Sequence, residues 1–364
     1  MTAPALTTAP HGQDGDTRDQ HDGLRLLHWH VHGSWTTALV QGRHTCLLPT
    51  LPERGPWGGG RPAAWDWPQR ARETSPEELR AGADAIDVVV LQRWEEIELT
   101  ERWTGRRPGV DLPAVWVEHN TPRGDAPTTR HPLADRDDIP IVHVTHFNAL
   151  MWDSGRAPVH VVEHGVPDPG ARYTGEIDRA AVVVNEPVRR HRVTGTDLLP
   201  GFADTVGLDV FGIGTDRLDA ALDAGAGQDR RRPDVRVVGD LPQARMHAEL
   251  ARRRVYLHPV RWTSLGLSLI EAMMLGMPVV GLATAEAAVA VPPEAGVVAT
   301  DLDVLHRALR AFRADPDLAR ETGRRAREVA TTRHSLTRFL SSFDAVLRTV
   351  VDGRADVPSA VRSS

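Results

Sequence analysis

One stretch constrains the fold more than any other. Residues 255–280 read VYLHPVRWTSLGLSLIEAMMLGMPVV. A short apolar run at 255–260 is broken by polar residues 261–264. Residues 265–276 then carry apolar side chains at positions that suit a buried helix, and Pro278-Val279-Val280 restarts an extended run. Strand, loop, helix and strand in this order predict a parallel α/β unit.

The loop Thr263-Ser264-Leu265-Gly266-Leu267 leads into the predicted helix. Free N–H groups and the helix dipole at such an end suit an anion, for instance a diphosphate. Gly266 lets backbone come close to a ligand. Glu271 lies about one turn into the helix. A carboxylate there repels a diphosphate but accepts hydrogen bonds from sugar hydroxyls.

This stretch resembles the donor-binding signature of retaining nucleotide-sugar glycosyltransferases of the two-Rossmann-domain (GT-B) class, family 4 or group 1-like. That signature runs Pro-Ser, a short gap, Glu-Gly-Phe-Gly-Leu, three residues, Glu-Ala, then Gly-x-Pro-Val-Val. Here His258-Pro259 stands near Pro-Ser, and Thr263 to Leu267 stands at Glu-Gly-Phe-Gly-Leu. Glu271-Ala272 and Gly276-Met277-Pro278-Val279-Val280 match outright. Of the family's two glutamates, the second is Glu271 and the first is replaced by Thr263. The resemblance implies that Glu271 binds the nucleotide ribose. It also implies that Thr263 meets the donor sugar with a hydroxyl in place of a charge. The family's Gly-Gly after the Pro-Val-Val strand is absent from residues 281–286.

The chain has 364 residues, enough for two ordinary domains. We expect a tail at 1–22, an amino-terminal Rossmann-like acceptor domain at 23–165, a boundary in 166–175, a Rossmann-like donor domain at 176–350 and a tail at 351–364. A carboxy-terminal helix crossing back to the first domain is common in such folds. A net charge of −6 gives no sign of a nucleic-acid partner. All 43 basic residues are arginine, so a phosphate clamp must use arginine or backbone. The single cysteine, Cys46, excludes an intrachain disulfide and a multi-cysteine metal site. No run approaches the ~20 apolar residues of a membrane span, and the first residues do not read as a signal peptide. The compartment this predicts is the cytoplasm, with peripheral attachment at the inner membrane face left open.

In the first domain, residues 24–30 form a predicted strand followed by His30-Val31-His32-Gly33-Ser34-Trp35. Rossmann-like sheets place ligands at the carboxyl ends of strands. His32, Gly33 and Trp35 are therefore the acceptor-side candidates. His30 and His32 would share one face of a strand, but no third metal ligand is near, and no metal is expected. Residues 53–67 read as a loop whose Trp57, Trp65 and Trp67 either pack or stack on sugar rings. Further strands are predicted at 43–51, 87–92, 113–119, 140–146 and 158–164, and helices at 75–85 and 97–104. The resemblance assigns His119, at the end of its strand, to the donor sugar.

In the second domain, strands are predicted at 180–185, 208–214 and 235–241, a helix at 243–254 and a last strand at 293–300. Helices are predicted at 302–312, 316–331 and 336–351. The family has an Arg and a Lys that neutralise the diphosphate before a helix. Here Arg190 and Arg192 are favoured, with Arg189 as the alternative and the helix start at 194–199. The strand holding Gly239 resembles the one whose following loop frames the base. His11 and His21, in the first tail, could bind metal adventitiously. No Walker loop or Gly-x-Gly-x-x-Gly follows the first strand.

The expected reaction moves a hexose from a nucleotide diphosphate sugar to a hydroxyl of a sugar, lipid-linked or small-molecule acceptor, with retention. No further cofactor is expected. A non-catalytic nucleotide-sugar- or partner-binding relative and a sugar-nucleotide epimerase are the alternatives. Neither the base, the acceptor nor the oligomeric state is readable.

Overall fold

The computed structural model describes residues 23–62, 65–225 and 232–355. The expected tail at 1–22, with His11 and His21, and residues 356–364 lie outside them.

Apolar runs buried on both faces make the central parallel strands, and less apolar strands pair at the edges. Seven strands form the first sheet: β1 (Arg25–His28), β2 (Thr45–Pro49), β3 (Ala71–Thr74), β4 (Val88–Leu91), β5 (Ala114–Glu118), β6 (Ile141–His143) and β7 (Val159–Val161). Their order is β3-β2-β1-β4-β5-β6-β7. The second sheet holds β8 (Ile177–Val183), β9 (Leu208–Phe211), β10 (Val235–Gly239), β11 (Arg253–His258), β12 (Val279–Leu282) and β13 (Gly296–Ala299), in the order β10-β9-β8-β11-β12-β13. Each sheet reverses its order once, between β1 and β4 and between β8 and β11. Ligands bind outside the carboxyl ends of strands at such a switch point. The two-Rossmann α/β architecture read from the sequence is the one observed.

Each sheet carries helices on both faces. In the first, Trp35, Leu39, Phe339, Phe343 and Leu347 cover one face, and Leu79, Trp103 and Leu112 the other. Phe339, Phe343 and Leu347 belong to the last helix, Leu336–Ala355, which thus returns to the first sheet. It extends four residues past the predicted end at 351. In the second sheet the helix Leu267–Leu275 is buried along residues 269–275. Each large apolar side chain removed from water there contributes about 1.5–3 kcal/mol.

That helix stops at Gly276, whose φ of 90° suits glycine. The helix Pro316–Arg333 lies against this end, and a Cβ on Gly323 would sit 1.9 Å from the Gly276 carbonyl oxygen. Backbone cannot yield as a side chain can. Gly323→Ala is therefore expected to lower unfolding stability by about 1–3 kcal/mol. Urea denaturation measures this, and an unchanged midpoint would contradict the packing.

Some elements differ from expectation. The helix predicted at 243–254 ends at Leu250, because Arg253 is taken into β11 beside β8. The helix start predicted at 194–199 is a 3-10 turn at Thr196–Leu198 leading into Leu199–Ala203. Edge strand β3 and the helices His146–Met151 and Leu218–Gly225 were not foreseen. The helix Pro76–Ala81 begins as predicted: Ser75 accepts from Glu78 N, and Glu78 returns a bond to Ser75 N.

Candidate functional site

The carboxyl ends of both sheets meet. Trp262 Nε1, in the loop after β11, donates to the Pro122 carbonyl in the loop after β5 at 2.9 Å. Phe147 N donates to Glu286 Oε2 at 2.9 Å. Buried Glu286 also pairs with Arg333, which in turn binds Glu163. The residue before it, Ala285, has a φ of 49°. The backbone there takes a glycine-like conformation, although the family's Gly-Gly is missing.

On the second sheet, β11 delivers the chain to Arg261 and then to Thr263, Ser264, Leu265 and Gly266. Arg261 fixes this loop: its N–H donates to the Val193 carbonyl at 2.9 Å, and its guanidinium pairs with Asp197. Thr263 is half-buried, while Ser264 and Leu265 are buried. Gly266 caps the helix Leu267–Leu275 with no side-chain cap bond. Leu269 N donates back to the Gly266 carbonyl, which leaves the N–H groups of Leu267 and Ser268 to meet an anion. The φ of Gly266 is −68°, so no left-handed turn demands glycine. A Cβ there would instead press on His258 Cε1 at 3.3 Å. Leu267 packs against the cores of both sheets.

Glu271 is 3% exposed. Its Oε1 accepts from Gln243 Nε2 at 2.9 Å, and its Oε2 lies 3.3 Å from His247 Nε2. The helix Gln243–Leu250 therefore holds this carboxylate in place. Gly239 closes β10 with a φ of 95°, and a Cβ on it would meet nothing within 4 Å.

The favoured arginines part company. The turn Pro187–Arg190 lies between Glu186 and His191, both at positive φ. Arg190 is half-buried and has no carboxylate partner among the described residues. Burial first, then the charges of Arg189 and Arg123, hold its guanidinium below its ordinary pKa. Arg192 is exposed and donates to Asp197 Oδ2 at 3.0 Å. Arg189 is exposed, 3.4 Å from Glu186. The cation left free for an anion is Arg190.

On the first sheet, His32 precedes the helix Gly33–Val40 and lies 4.1 Å from the His119 ring. His164 stacks on His119 at 6.3 Å. Burial lowers the pKa of His32 to about 4 and of His164 to about 3, and puts His119 well below its ordinary value. All three are neutral near pH 7. Trp35 is 2% exposed, set edge-on to His119 and against Phe339 and Phe343. It supports the wall from beneath and offers no open face to an acceptor. His30 packs against Trp65 and Trp67. Trp67 is buried, Trp57 lies under the Arg93 guanidinium, and Gly33 leaves room for Trp65. These tryptophans pack.

Two features escaped the sequence. Glu118, beside His119, accepts from Asn120 N, His131 Nε2 and Trp116 Nε1, which fixes the end of β5. Gln92, at the end of β4, hydrogen-bonds His119. A polar residue ending an apolar strand at the switch point was the available signal. No helix among the described residues is long and apolar enough to cross a membrane.

Residues 203–343 match a family model described as glycosyl transferase-like. No curated protein matches the sequence. The fold is similar to sucrose-phosphate synthase from Thermosynechococcus elongatus, with a TM-score of 0.68 at 14% identity over 91% of this chain and 100% of that one. It is similar to HepE from Anabaena, solved with UDP, with a TM-score of 0.64 at 13% identity over 90% and 100%. A glycosyltransferase from Rickettsia africae gives 0.62 at 11% identity over 91% and 99%. The fold they share with this chain is GT-B.

Proposed function

We propose that this chain, a GT-B relative of the group 1-like glycosyltransferases, moves a hexosyl group from a nucleotide diphosphate sugar to an acceptor hydroxyl, with retention at the anomeric carbon. One observation carries the reading. The uncapped N-terminus of the helix Leu267–Leu275 and the unpaired Arg190 belong to neighbouring segments, joined through the Arg261 and Val193 backbones. Free N–H groups and an unmatched guanidinium suit a leaving diphosphate, whose charge grows in the transition state.

In this reading Glu271 takes the ribose hydroxyls, Gly239 borders the base, and His119 orients the sugar. Thr263 with Ser264 and Leu265 lines the sugar side, and His32 and Gly33 lie toward the acceptor. Arg190 and the helix end supply the positive charge without a metal. Arg261, tied to Asp197 and to the Val193 carbonyl, holds the loop that presents them, and Arg192 adds one exposed contact to Asp197.

HepE was solved with UDP, so UDP leads a thermal-shift panel with GDP, dTDP and ADP. A nucleotide at about 100 times its Kd adds about 2.7 kcal/mol of stability. Glu271→Gln is expected to lose most of that gain. Each variant is compared with its own unliganded midpoint, because the substitution also disturbs Gln243 and His247. Stabilisation by none of the four would sink the proposal.

A binding relative without turnover is the second reading. Thr263 in place of a carboxylate favours it. Release of nucleoside diphosphate from a stabilising sugar nucleotide separates the two.

A further inference from the structure

Gln92 follows β4 and faces the switch point of the first sheet. Its backbone N–H donates to buried Glu96 Oε2 at 2.7 Å. Its buried side chain makes two bonds. Nε2 donates to the Trp29 carbonyl at 2.9 Å, and Oε1 lies 2.9 Å from His119 Nε2.

These two contacts fix a proton. A peptide carbonyl only accepts, so the end of the Gln92 amide that faces Trp29 is the NH2 group. The end that faces His119 is then the amide oxygen, which also only accepts. His119 Nε2 must therefore carry a hydrogen. Burial, with His32 and His164 nearby, keeps the imidazole neutral, so this is its single ring proton. Nδ1 is left with a lone pair and no hydrogen-bond partner among the described residues.

We propose that Gln92 is a positioning residue that fixes His119 as the Nε2–H tautomer, so that Nδ1 accepts a hydrogen bond from a substrate hydroxyl. The identity of that hydroxyl's owner rests on the reading of the cleft given above. The groups around the ring do not compete for Nδ1. His32 lies tilted over the ring and His164 stacks on it, neither hydrogen-bonding Nδ1, Trp35 approaches as an edge, and the Glu118 carboxylate is taken by Asn120, His131 and Trp116. Arg93 and Glu96, beside Gln92, pair with each other. The consequence is a specificity rule. A sugar with a free hydroxyl at the contacted carbon is accepted. Its deoxy, fluoro or O-methyl analogue brings no donor and leaves Nδ1 unmatched.

The test is a long-range 15N–1H spectrum of the histidines, with the His119 signals assigned by a His119→Asn variant. Wild type is expected to show the Nε2–H pattern at His119, unchanged between pH 8 and 6. Gln92→Met removes both bonds while keeping length. It is expected to give a tautomer mixture and to lower kcat/KM for transfer about ten- to hundred-fold, while the Kd of the nucleoside diphosphate alone changes less than about twofold. An Nδ1–H pattern or an imidazolium in the wild type at pH 7 overturns the proposal, whatever becomes of the variant. So does a tautomer mixture in Gln92→Met with undiminished kcat/KM. A protein that binds no sugar nucleotide overturns the reading of the cleft, and the spectrum then decides the tautomer alone.

Discussion

Arg190→Ala is expected to lower kcat/KM for glycosyl transfer by about 10²- to 10³-fold, the usual cost of removing one donor aimed at developing anionic charge. Its surroundings set the size of the effect. Arg190 is half-buried, without a carboxylate partner, and faces the like charges of Arg189 and Arg123. A cation held in that position waits for an anion from outside the protein. Removing it strands no carboxylate, so the variant should fold as well as the wild type. Most of the loss should fall on kcat, because diphosphate charge grows toward the transition state. Arg192→Ala is the matched control. Its partner Asp197 keeps two bonds from Arg261, so activity should change less than about threefold. Steady-state kinetics of both variants, with melting curves to verify folding, decide the matter. Equal losses in the two, or no loss at Arg190, would remove Arg190 from the diphosphate site.

The contrast between these arginines shows what sequence can and cannot tell. Arg190 and Arg192 are two residues apart in one basic run, and nothing local separates them. The difference is made by Asp197 and Arg261, the latter arriving from another strand's loop. The stretch at 255–280 was legible for the opposite reason. Its strands, helix and terminal glycine are set by neighbours in the chain, and the structure puts strand at Arg253–His258 and Val279–Leu282 with helix between. Strand β3, of sequence ARET, has no apolar run and exists because β2 pairs with it. The bond from Gln92 to His119 spans 27 positions and that from Phe147 to Glu286 spans 139, so neither leaves a periodic trace. Tryptophans 57, 65 and 67 are alike in sequence as packing residues or as a sugar platform. Only the positions of Arg93, Thr37 and His30 around them settle on packing.

The second large effect is on stability: the protein should unfold as the pH falls from about 6.5 toward 4, with a midpoint near pH 5. His28, His164 and His258 are fully enclosed, each near the carboxyl end of a strand facing the cleft. Burial lowers His28 and His258 from 6.5 to about 4, and His164 to about 3. Because the folded-state values are depressed, the unfolded chain takes up protons first. The contribution of each ring to stability is whole above about pH 6.5 and is lost as the pH falls through that window toward the folded value. A drop from 6.5 to about 4 corresponds to roughly 3 kcal/mol. Three such rings lose about 10 kcal/mol, comparable with the whole stability of an ordinary domain. Paired carboxylates act at the acid end of this window and below it, while buried Glu96, raised above its ordinary value by burial, takes up its proton in the folded state and opposes the histidines. Asp168, held low by Arg327, gives up its share only below its ordinary value of 3.8. Urea midpoints measured from pH 8 to 4.5 should therefore decline steeply below 6.5. His28→Met, which removes a buried ring whose Nε2 has no partner, should recover about a third of the loss. A flat profile from pH 7 to 5 would mean that these rings reach water. A sugar nucleotide that binds the folded chain should shift the acid limb to lower pH, by mass action on the folded state.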